Sequence, residues 1–160
     1  MKKFSTEIKW GFIFTIAALL WILLEKLMGW HGKNIEQHAF NTYFFIIPAT
    51  HIYISAIKNK REKFYKGKMS WKQGFLTGLG ITAVVSVLNP LLQYIKSTLI
   101  SPEFFQNAIA FTIESGKMSL EQADSYYNLK NQIIQSSFMT LIFGVVASAV
   151  IAIIVKRNRS

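Results

Sequence analysis

The chain has no cysteine. That excludes a disulfide framework, a thiolate metal site and thiol nucleophile chemistry. Histidine is scarce, with three copies, so a zinc site would need a carboxylate among its ligands. Acids are few: eight Asp and Glu stand against eighteen Lys and Arg. There is no Gly-rich phosphate loop, nucleophile elbow or paired-carboxylate signature. The expectation is therefore a protein that is not an enzyme, with no catalytic residue, cofactor or metal site and no nucleic-acid partner.

What is present is apolar surface, 51% of the residues, arranged in long runs with the charge kept between them. Lys58–Lys72, KNKREKFYKGKMSWK, carries Lys58, Lys60, Arg61, Lys63, Lys66, Lys68 and Lys72 against the single acid Glu62. Short basic loops between membrane spans stay in the cytoplasm. Around this loop the chain divides into four expected spans at about 10–28, 39–57, 73–95 and 133–155. The first follows a basic start but no small-residue cleavage site, so it reads as an uncleaved span. Placing the start, the central loop and the tail on one side gathers thirteen basic residues and two acids there; the other side holds five basic residues and six acids. That bias puts both termini in the cytoplasm. The bilayer itself is the first partner, since the many Trp, Tyr and Phe suit its interfaces and the basic loop suits anionic headgroups.

Between the third and fourth spans, an outer helical hairpin is expected at about 102–130. Ser101-Pro102 reads as a helix start, Gly116 as a stop, and Ser119 with Gln122 as a capping box opening a second helix that runs into the last span. The fold class is all-α: one membrane domain over 1–160, a four-helix bundle with that hairpin. Phe104, Phe105 and Ile109 make its first helix apolar and form a candidate docking surface for a membrane or periplasmic partner, with Phe105 and Ile109 expected against Ala123 and Tyr127.

Small residues recur every fourth position in two spans: Gly74, Gly78, Thr82 and Ser86 in the third, and Ser136, Thr140, Gly144 and Ser148 in the fourth. Such faces let membrane helices approach closely, within one bundle or between two copies of the chain. Four polar residues fall within or at the edge of spans: Glu25, His51, Asn89 and Gln93. Intramembrane ionisable groups raise a functional hypothesis. Glu25 is followed at once by Lys26, Gly29 and Trp30, which places it at the interface, paired with Lys96 or with Lys26 of another chain. His51 reads as a packing hydrogen bond or a proton relay. Asn89, Pro90 and Gln93 make a polar break fit to line a cavity. His31, Glu36 and His38 share a loop, but their spacing matches no metal motif.

The chain also resembles a known family. The basic loop running into Trp71-Lys72-Gln73-Gly74-Phe75, the stretch Ile100-Ser101-Pro102-Glu103-Phe104-Phe105, and Glu114 through Gln122 leading to a closing apolar helix with Gly144 are similar to the small four-span bacterial membrane proteins grouped as domain-of-unknown-function family 4199. The resemblance implies a Gram-negative inner-membrane location and carries no activity with it. Two functions are then expected to compete: a non-enzymatic accessory protein acting through helix–helix and outer-loop contacts, and a small oligomeric transporter or channel for an ion or solute using the four polar residues. A membrane enzyme acting on lipids ranks third.

Overall fold

A computed structural model describes residues 4–157; Lys2, Lys3 and Arg159, counted above in the basic start and tail, lie outside the described residues. The described chain is helical, with one isolated antiparallel bridge, Met69 to Arg157. Three helices are long and apolar enough to cross a membrane: α1 (Ser5–Leu27), α4 (Trp71–Ile95, continued by a π-helical turn over Lys96–Ile100) and α7 (Leu129–Val155). At about 1.5 Å per residue each exceeds a hydrocarbon core of roughly 30 Å.

The expected second span, 39–57, is not one helix. It is built from a short α2 (His38–Asn41), a 3-10 turn over Thr42–Phe45 and the first part of α3 (Ile46–Lys63). Pro48 is the reason: its ring would strike the carbonyl four residues back, at Phe44, so a helix containing it starts late. In α3 it occupies the first turn, where its missing N–H costs no intrahelical bond.

α4 is the centre of the bundle. It opens on a capping box, with Gln73 N–H donating to Ser70 Oγ and Gln73 Oε1 accepting from Ser70 N–H. It packs most extensively on α7 and next on α1, while α3 leans on α1, α7 and α4. The α4–α7 seam is made of small residues. A Cβ on Gly74 would lie 3.1 Å from Ala152 Cβ, one on Gly78 3.1 Å from Ser148 Cα, and one on Gly144 2.8 Å from Thr82 Cβ. Ser148 is fully buried in the seam and donates to Gly144 O at 2.5 Å. Thr82 Oγ1 meets Tyr53 OH of α3 at 2.8 Å, which ties a third helix to the pair. Around them Phe14, Ala56, Ile57, Ile81, Val85, Ile151 and Val155 form the main core. In lipid such close approach replaces the hydrophobic drive that water would supply.

The two ends of the bundle differ. At one, Lys60 Nζ donates to Glu7 Oε2 at 2.9 Å in a buried ion pair, and Arg61 Nη1 donates to Val155 O at 2.8 Å. At the other lie the end of α1, the loop before α3, the π-helical turn and two short helices, α5 (Phe104–Glu114) and α6 (Leu120–Tyr126). Here three expectations are corrected. Ser101 does not cap α5: its hydroxyl is buried against His31, and the helix starts at Phe104 without a side-chain cap. Nor does α6 run into the last span. It opens on the Ser119–Gln122 capping box, but the chain turns extended at Asn128, whose Oδ1 accepts from Asn131 N–H and starts α7 afresh. α5 buries Phe104, Ala108 and Thr112 rather than Phe105 and Ile109, which are half-buried. Thr112 Oγ1 donates to Tyr127 OH at 3.2 Å, and Ala123 of α6 is fully buried.

Candidate functional site

Glu25 sits in the last turn of α1 and is 2% exposed. The chain reverses at Gly29, whose φ of 78° suits glycine, and folds back so that Trp30 N–H reaches Glu25 O. The returning loop covers the carboxylate. Trp21 Nε1 donates to its Oε1 at 3.0 Å and Thr42 Oγ1 donates to the same oxygen. On Oε2, His31 Nε2 lies at 3.1 Å and His38 Nδ1 at 4.0 Å. Burying a carboxylate is costly unless it is hydrogen-bonded, and Trp21, Thr42 and His31 meet that need.

A second ring of contacts fixes the imidazoles. His31 Nδ1 lies 2.6 Å from Ser101 Oγ, and Asn107 Nδ2 of α5 donates to His31 O at 2.9 Å. Phe104 places its ring edgewise to His31 and His38, with centroids 5.1 and 4.9 Å away. Over the same ring, 3.9 Å from its centroid, stands the ammonium of buried Lys96, the first residue of the π-helical turn. A π turn inserts an extra residue into the helix and is frequent at functional sites.

From this cluster a cleft of about 360 Å³ runs down between α1, the start of α3, α4 and α7. Phe14, Tyr53 and Phe143 line its apolar part; Glu25, His38, Asn89, Gln93, Lys96, Gln132 and Ser136 line its polar end. Asn89 Nδ2 donates to Ser136 Oγ and Ser137 Oγ, both at 2.8 Å, and Asn89 Oδ1 accepts from Gln93 Nε2 at 3.2 Å. Gln93 Oε1 and His38 Nδ1 are buried without a hydrogen-bond partner.

The structure thus brings together three of the four candidate polar residues, Glu25, Asn89 and Gln93, and leaves out His51. α3 buries Ala49, Ile52, Tyr53, Ala56 and Ile57, and His51 falls on its opposite, exposed face. The candidate docking surface is corrected as well, because Phe104 is 4% exposed and belongs to the cluster. Of the packing residues, Gly74, Gly78, Thr82, Gly144 and Ser148 lie in the α4–α7 seam, Thr140 lines the cleft, and Ser86 is half-buried with its hydroxyl unpartnered. Sequence reasoning missed His31 and His38 as site residues, and named Lys96 only as a partner for Glu25. The loop trio was visible, but its acid is Glu25 from the preceding helix, while Glu36 is exposed.

A helical protein with membrane-compatible helices and a buried acid–imidazole cluster at one end defines the class. The chain belongs to the family described as protein of unknown function (DUF4199), which matches residues 9–157. No curated protein and no solved structure matches it.

Proposed function

We propose that this is a non-enzymatic, four-pass protein of the bacterial inner membrane that binds a small amphiphile in its cleft, the polar end of the ligand lying at Asn89, Gln93 and Lys96. The observation that carries this reading is the gradient of the cleft. Aromatic and aliphatic walls lead to a polar end where Gln93 Oε1 is buried with no partner. A buried acceptor in that state costs about 1–3 kcal/mol, which a donor on the ligand would recover. The volume suits a small molecule. The rim supports access from the bilayer: Tyr43, Ile46 and Met139 line the cleft and are each more than half exposed.

In this arrangement α3 and the segment before it form the second pass. The Lys60 end, with its basic loop, faces the cytoplasm together with both termini, and the Glu25 end faces the periplasm. α5 and α6 then cover the periplasmic mouth as an accessory layer that a second copy or another membrane protein can contact. Transport of an ion or small solute is the second reading, favoured by the ionisable groups at the polar end.

Native mass spectrometry of the protein released from its own membrane in mild detergent tests the binding reading. A discrete co-purifying amphiphile, lost in Gln93→Leu, is expected; a wild-type protein that carries no mass above detergent overturns it. A cysteine at Gly116 should be labelled from the periplasmic side and one at Tyr65 from the cytoplasmic side.

A further inference from the structure

We infer that Glu25, His31 and His38 form a binding site for a divalent metal ion of the zinc class, with one coordination position open toward the cleft. The three ligand atoms lie within 4.8 Å of one another. Two imidazole nitrogens and one carboxylate oxygen, with no thiolate, are a donor set for Zn²⁺ and its neighbours rather than for Mg²⁺ or Ca²⁺. Bonds of about 2.0–2.2 Å set tetrahedral ligand atoms roughly 3.3–3.5 Å apart. Glu25 Oε2 and His31 Nε2, at 3.1 Å, lie close to that spacing, and His38 Nδ1, at 4.0 Å from Oε2, has to move toward both to close the site. His38 is carried on the short helix α2, which contributes no buried residue to the bundle core.

Two details point to a cation. His38 Nδ1 is buried, has no hydrogen-bond partner and faces a carboxylate. A cation placed between this ring nitrogen and the carboxylate oxygen gives both a partner. The second detail is the support behind His31. When its Nδ1–H is donated to Ser101 Oγ, the Nε2 lone pair is left free on the side of Glu25. Such outer partners fix the tautomer and aim of metal-bound histidines. Trp21 and Thr42 do the same for Glu25 by occupying Oε1 and leaving Oε2 to the site. Phe104 closes one side, and the cleft leaves the other side open. The inference stands whatever molecule fills the cleft.

The test uses the full chain, free of any affinity tag, in detergent or nanodiscs after chelator treatment. Zn²⁺ is titrated by calorimetry, and Co²⁺ serves as the optical probe of coordination. Expected are one saturable Zn²⁺ site per chain and visible Co²⁺ bands of four- or five-coordinate intensity. His38→Ala should weaken Zn²⁺ binding by about 100-fold or more, and Ser101→Ala by about 10–100-fold. His51→Ala, on the exposed face of α3, should bind as the wild type. Wild-type protein with native helicity that takes up no Zn²⁺ at micromolar concentration overturns the inference, as does undiminished binding by His38→Ala. If Glu25→Gln fails to accumulate, His38→Ala and Ser101→Ala carry the test, because neither buries an uncompensated charge.

Discussion

Ser101 Oγ lies 2.6 Å from His31 Nδ1, across 70 residues of chain, and this contact holds the turn before α5 to the loop after α1. Both groups are buried, so removing the hydroxyl leaves a ring nitrogen with neither protein nor water to bond. Ser101→Ala should cost about 1–3 kcal/mol. The loss should be local. Amide exchange should quicken across residues 104–114 while the α4–α7 seam keeps its protection, and Ser101→Thr should retain most of the effect of the hydroxyl. Unchanged exchange over α5 would mean that Phe104 alone holds it in place.

Glu7 and Lys60 form the ion pair at the opposite end, with side chains 7% and 2% exposed. Breaking such a pair by removing one partner leaves a buried charge and costs about 3–5 kcal/mol, whereas replacing both can be nearly neutral. Glu7→Gln and Lys60→Met should each lower the unfolding midpoint strongly. The double variant should lie closer to the wild type than either single variant. Strict additivity in the thermal melts would show that the two side chains act independently.

Gly144 and Gly116 separate two reasons for keeping glycine. A Cβ at Gly144 would press on Thr82, which is itself held to Tyr53, so the seam cannot yield easily. Overpacking a tight core costs about 1–3 kcal/mol, and Gly144→Ala should fall in that range with Gly144→Leu beyond it. At Gly116 nothing lies within 4 Å of the added atom, but φ is 68°. Gly116→Ala should therefore cost only the backbone strain, roughly 1–2 kcal/mol, and Gly116→Asn less still. Denaturant melts in mixed micelles distinguish the two cases.

The long elements were legible in the sequence because their signals are local. Continuous apolar runs mark α1, α4 and α7, and the small-residue spacing of Gly74, Gly78, Gly144 and Ser148 marks two helix faces. The Ser119–Gln122 box marks α6, and the same pattern at Ser70–Gln73 was present and passed unread. The second span was obscured by Pro48, whose effect depends on whether neighbours stabilise a kink or let the helix start late. The site was least legible. Lys26, Gly29 and Trp30 mark Glu25 as the end of a span, but not that the same residues turn the chain back over its carboxylate. Nothing in the spacing of His31 and His38 foretells that Ser101 and Phe104, some seventy residues on, complete their surroundings.

Lys96 offers a last and more discriminating prediction about the cluster. Its ammonium stands 3.9 Å over the face of Phe104, whose edges meet both imidazoles, and with Glu25 and His38 it lines the polar end of the cleft. Without a metal ion this ammonium offsets the carboxylate of Glu25. A divalent ion bound at Glu25 would sit close to it, and like charges repel strongly where burial weakens screening. Lys96→Met keeps the apolar stem against Phe104 and removes the charge. It should therefore act in opposite directions in two assays. In metal-free protein the variant should be less stable, because Glu25 is left without its compensating cation. In the same protein Zn²⁺ should bind several-fold more tightly, and saturating Zn²⁺ should raise the melting temperature by more than it does in the wild type. A variant destabilised equally with and without Zn²⁺, and binding the ion no better, would show that Lys96 serves packing alone and does not balance the charge of the cluster.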